Sequence, residues 1–111
     1  MSRSDLRGRI AVVGVGTACC GEAPGFSNIE ILAHAAHAAV ADAGLTMKDI
    51  DGLATANLDA AMWPLNVVEY LKLKPSFIEG TNIGGSAFVA HLVPAMLALE
   101  AGLCNALLVC Y

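Results

Sequence analysis

The chain has 111 residues, a formal net charge of -4, 57% hydrophobic and only 14% charged residues, against roughly 25% charged in ordinary soluble domains. That length suits one small domain, and the scarcity of charge points to elements buried on most sides. No cluster of Lys and Arg occurs, which argues against a nucleic-acid partner.

The first apolar run, "RIAVVG" at residues 9 to 14, is β-branched, too short for a helix and followed by glycines, so a buried strand is expected there. Basic residues precede it, as in a weak secretory signal, but Asp5, Gly14 and Gly16 do not suit such a leader. After the loop "TACCGEAPGFS", Ser27 and Glu30 have the spacing of a capping box. The helix "NIEILAHAAHAAVADAG" follows, with Ile29, Ala33, Ala36 and Val40 on one face and Gly44 as its left-handed stop. A face made mostly of alanine permits close packing against a neighbour.

Next come a single turn capped by Thr46, a short strand near Leu53 to Ala56, and a short helix at 65 to 72 that ends before Pro75. "SFIEGTN" reads as a strand. "TNIGGSAF" at 81 to 88 reads as a strand-to-helix turn, and "SAFVAHLVPAMLALEAG" as a helix closed by Gly102, with a kink expected at Pro94. "NALLVCY" is the last strand. The segment from Phe88 to Tyr111 is long and apolar but carries His91, Pro94, Glu100 and Asn105, so soluble core is expected rather than a membrane span. The order β-α-β-α-β-α-β predicts an α/β fold with a mostly parallel sheet between helices. Because the chain stops within an apolar strand at Tyr111, it is expected to be an incomplete domain over 1–111, poorly soluble or partly molten when expressed alone.

Several patterns invite chemistry. The four cysteines are Cys19, Cys20, Cys104 and Cys110; none forms a C-x-x-C pair, and buried thiols in a reducing, cytoplasmic compartment are expected. "GVGTAC" lacks the third glycine and the immediate helix of a dinucleotide fingerprint. His34 and His37 stand i, i+3 without a third ligand, so no metal site is expected. His91 follows Ser86 by five residues, a rotation of about 140° on a helix, which excludes a local Ser–His dyad. The glycine turn is left. Backbone N–H groups at the helix start could bind a carbonyl or oxyanion near Asn82, Gly84, Gly85 and Ser86. Equally, two glycines could serve only to seat the helix against the sheet.

On these segments the chain resembles the thiolase superfamily, in particular the thiolase-like lipid-transfer proteins related to the thiolase half of sterol carrier protein X. "RIAVVGVG" looks like the family's first strand, "AHAAVADAGLTMKDIDGLATAN" is similar to its helix, link and second strand, and "TNIGGSAFVAHLVPAMLALEAGLCNALLVCY" to its nucleophile turn, helix and strand. The resemblance implies the first part of the N-terminal βαβαβαβ half of a thiolase-like fold. The family's turn reads N-x-x-C, with a glycine seventeen residues after the cysteine. Asn82 is that asparagine and Gly102 lies seventeen after Gly85, so Gly85 stands where the family carries its acylated cysteine. None of the chain's cysteines matches that place.

Without a thiolate no acyl-enzyme forms. The resemblance then implies cysteine-independent carbon–carbon cleavage of the retro-aldol type on acyl-CoA thioesters in lipid or steroid metabolism. It implies no cofactor beyond the coenzyme A thioester substrate, a homodimer with "SFIEGTN" near the two-fold, and a small acyl-CoA-binding OB-fold partner protein. The alternatives are a non-catalytic lipid-transfer or scaffolding subunit of the same fold, and an acetyl-CoA acetyltransferase-type or ketoacyl synthase enzyme, which would need the absent cysteine.

Overall fold

The computed structural model describes residues 6–111. Arg3 and Asp5, part of the leader-like pattern, lie outside the described residues. Helix α1 (Asn28–Asp42) starts on a complete capping box: Ser27 Oγ accepts from the Glu30 N–H at 3.3 Å, and Glu30 Oε1 accepts from the Ser27 N–H at 3.2 Å. Gly44, at φ +74°, turns the chain out of the helix. A 3₁₀ turn at Met47–Asp49 leads into strand β1 (Gly52–Thr55), all four of whose residues are buried. Helix α2 (Trp63–Leu71) has Pro64 in its first turn, where the lost N–H would have no partner anyway. Strand β2 (Phe77–Glu79), helices α3 (Ala87–Ala90) and α4 (Leu92–Glu100), and strand β3 (Leu107–Cys110) complete the order.

The sheet has three parallel strands in the order β2-β1-β3. Leu53 and Leu108 project into one cluster with Leu32, Ala36 and Val40 of α1 and Val67 and Leu71 of α2. On the α3–α4 side the buried residues are small, Ala87, Ala95 and Ala98, apart from His91. The Asp51 carboxylate ties the two ends of the fold: Oδ1 accepts from the Asn105 and Ala106 N–H groups, both at 2.9 Å, where the chain enters β3.

One expectation needs correction. Residues 9 to 14 form no strand. The run instead passes over α1 as an extended strap. Gly14 and Gly16 touch the helix backbone so closely that a Cβ would collide with Ala39 O at the first and Ala39 N at the second. Val15 donates its N–H to Asp42 Oδ2 at 2.9 Å, and Arg9 pairs with Glu100 at 2.9 Å. Val12, Val13 and Val15 are accordingly exposed. The strap lies on Ala35, Ala39 and Ala43, a different face of α1 from Ile29, Ala33, Ala36 and Val40, which pack into the core.

The last helix is interrupted at His91, between α3 and α4, where the proline implied a kink. Pro94 has no N–H for the carbonyl of Ala90 and its ring crowds that oxygen, yet His91 keeps helical dihedrals (φ -61°, ψ -19°) and its carbonyl accepts from the Ala95 N–H at 3.0 Å, so the helix resumes at once. Among the described residues no helix is long and apolar enough to cross a membrane.

Candidate functional site

The glycine turn leaves the C-terminal end of β2 and enters α3. In parallel α/β sheets this is the edge where ligands bind. Asn82 clips the turn to the segment after β1: its Nδ2 donates to Asn57 O at 3.2 Å, while its Oδ1 accepts from the Gly84 N–H at 3.3 Å. Gly84 sits at φ +86°, a conformation that L side chains rarely adopt. Gly85 differs. It is exposed, its φ is not in the left-handed region, and a Cβ built there meets nothing within 4 Å. Neither glycine seats the helix against the sheet. The close approaches in the fold are made by Gly14, Gly16, Gly52 and Gly80.

Asn82, Gly84, Gly85 and Ser86 thus stand at one open corner. The donors available there are fewer than three successive N–H groups. Gly84 gives its N–H to Asn82, and Ala87 gives its own to Gly84 O at 3.0 Å. Among the described residues the corner's hydrogen bonds leave the Gly85 and Ser86 N–H groups unused. Helix α3 has four residues, so little macrodipole stands behind them.

Thr81, just before the clip, is held from two sides. Glu79 Oε1 accepts from its N–H at 2.8 Å and from its hydroxyl. These bonds, hydroxyl first, hold the Glu79 carboxyl below its ordinary 4.5. From the other side, His91 Nε2 lies 2.9 Å from Thr81 O. His91 is 1% exposed, and its partner is this carbonyl rather than Ser86. The pattern alone marked it only as a histidine in an apolar helix. The rule that a buried polar group must find a partner was the available signal.

The remaining candidates do not converge on the turn. His34 and His37 are exposed on α1. Among the described residues no three His, Cys, Asp or Glu side chains gather as a metal site would require. Cys20 is exposed, contrary to the expectation of buried thiols, and Cys104 is buried. Burial, then the charge of Asp51, raises the Cys104 thiol. Burial pushes the Cys110 thiol up to about 12 against a smaller opposing pull from the Thr55 hydroxyl. Neither is a thiolate at neutral pH. A cavity of about 610 Å³ opens between the strap, α1 and the C-terminal end of β3, lined among others by Asn57, Trp63, Phe88, Cys110 and Tyr111. It approaches the turn through Asn57 and Phe88 and does not include the glycines.

No family model matches the chain. It is 30% identical over 109 residues to a steroid side-chain-cleaving aldolase of Thermomonospora curvata, covering 97% of this chain and 27% of that protein. It is 31% identical over 101 residues to a 17-hydroxy-3-oxo-4-pregnene-20-carboxyl-CoA lyase of Mycobacterium tuberculosis, covering 90% of this chain and 26% of that one. The chain thus spans about a quarter of the length of these relatives. Among solved structures, an Ltp2-ChsH2(DUF35) aldolase superposes with a TM-score of 0.79 at 27% identity, over 89% of this chain and 26% of that one. A monomeric SCP2-thiolase like protein type 1 from Mycobacterium smegmatis gives 0.68 at 25% identity, over 87% and 22%. The chain has a thiolase-like fold and is similar in sequence to steroid side-chain aldolases over nearly all its length.

Proposed function

We propose that the full-length protein cleaves a carbon–carbon bond in a lipid or steroid β-hydroxyacyl-CoA by a retro-aldol reaction without a covalent acyl-enzyme. The observation that carries this reading is Gly85: an open position at the turn, free of backbone and packing demands for glycine, and bearing no nucleophile. The relatives' names, an aldolase and a CoA lyase, support the same reaction class.

In a retro-aldol step a base removes the β-hydroxyl proton, the Cα–Cβ bond breaks, and its electron pair flows into the thioester as an enolate. Protonation at Cα then releases the shortened acyl-CoA, and the β-carbon departs as a carbonyl compound. What this segment contributes is a place for the enolate oxygen: the Gly85 and Ser86 N–H groups at a corner held rigid by Asn82 and Gly84. With no side chain at Gly85, a thioester carbonyl can approach the backbone without being attacked. The base is proposed to lie outside this segment.

We further propose a DUF35-type partner of the OB-fold, acyl-CoA-binding kind, in line with the Ltp2-ChsH2 assembly, and a homodimer with β2 near the two-fold. The reaction is tested by incubating the full-length protein and its partner with β-hydroxyacyl-CoA and with the unhydroxylated acyl-CoA, and following both products. Cleavage of the hydroxylated thioester alone is expected. Binding without cleavage would favour a lipid-transfer role. Sedimentation tests the dimer, and a monomer, as described for the Mycobacterium smegmatis protein, would overturn that part.

A further inference from the structure

His91 is a buried titratable group that the proposed reaction does not use. It sits at the junction of α3 and α4 and is 1% exposed, yet its Nε2 reaches back ten residues to Thr81 O at 2.9 Å. A carbonyl oxygen only accepts, so the ring presents an N–H at Nε2. A proton placed on Nδ1 instead would leave the Thr81 carbonyl facing a lone pair and would bury an unpaired N–H, since Nδ1 has no partner among the described residues. The contact therefore selects one tautomer. The ring is braced edge-on by Phe88, at 5.9 Å and 90°, and Phe88 stacks on Tyr111 at 4.3 Å.

Thr81 is the residue immediately before the Asn82 clip. Its carbonyl belongs to the peptide unit that ends at the Asn82 N–H. Fixing that oxygen fixes the plane from which the turn departs, and hence where the Gly85 and Ser86 N–H groups aim. α3 is one turn long and cannot hold the corner by its own length. We propose that His91 is a positioning residue: its Nε2–H, donated to the Thr81 carbonyl, locks the glycine turn in the orientation that receives the enolate oxygen. This inference rests on the lyase reading for its catalytic consequence and on geometry alone for the tautomer and the lock.

The experiment has two arms on the full-length protein. In the first, ¹⁵N-histidine labelling reports the ring tautomer, with His91→Gln identifying the signals by their loss. An N–H on Nε2 is expected, and an Nδ1–H tautomer or a rapidly averaged ring would overturn the lock. In the second, His91→Phe keeps ring volume without the donor, whereas His91→Gln keeps a donor near the Nε2 position. With β-hydroxyacyl-CoA the Phe variant should lose on the order of tenfold to a hundredfold in kcat, with KM changed far less, and Gln should restore most of it. Equal losses in both variants, or a change in KM alone, would contradict a positioning role. Should the Phe variant fail to fold, amide hydrogen exchange in His91→Gln at Gly84 and Ala87, whose N–H groups are bonded within the turn, decides instead: near-wild-type protection supports the lock, and fast exchange overturns it. A wild-type protein that cleaves nothing refutes the lyase reading and leaves the first arm to judge His91.

Discussion

The two glycines at the turn are chemically identical and structurally unlike, and single substitutions separate them. Gly84→Ala forces a side chain into φ +86° and should cost about 1–2 kcal/mol, read as a lower melting temperature. Gly85→Ala adds a Cβ that meets nothing within 4 Å and should leave stability within about 0.5 kcal/mol. Gly85→Cys should therefore fold and add an iodoacetamide-reactive thiol, whereas an unreactive thiol there would argue against the proposed register. Cys110, pushed up to about 12, and the buried Cys104 should resist the same reagent at pH 8. At the same corner Glu79 has a depressed pKa. Its contribution to stability is fully present above its unfolded value near 4.5 and fades as pH falls through the lower folded value. Glu79→Gln should flatten that part of the acid-melting profile.

At the scale of elements, the Asp51 carboxylate fastens the start of β3 through the Asn105 and Ala106 N–H groups. Asp51→Ala removes charge-assisted bonds and should lower stability by about 1.5–3 kcal/mol in denaturant unfolding. Most elements were legible in the residues because their signals are local: Ser27 and Glu30 three apart, Gly44 and Gly102 as left-handed stops, β-branched runs between turns. "RIAVVG" failed for the same reason. A β-branched run carries the pattern of a strand whether or not a sheet accepts it, and what decides here is non-local, the fit of Gly14 and Gly16 to the backbone of α1. Pro94 was legible as a disturbance because its missing N–H is a local fact, and the helix is interrupted one turn before it, at His91. The turn itself was readable from Asn82 and the glycines. Its supports, Asn57 O and the ring of His91, come from chain positions that no short pattern joins.

Across the whole molecule, α1 and α2 close one face of a three-stranded parallel sheet over large aliphatic side chains, while α3 and α4 lie over alanines. Both the glycine corner and the cavity beside Asn57 and Phe88 lie toward the carboxyl ends of the strands, so the sheet organises the site without lending it a nucleophile. The central claim is that this turn holds a thioester and does not attack it. It is tested most directly by intact-mass spectrometry of the full-length protein quenched during turnover of an acyl-CoA substrate. The predicted result is unmodified protein beside accumulating cleavage products; an acyl adduct on Cys19, Cys20, Cys104 or Cys110 would contradict it.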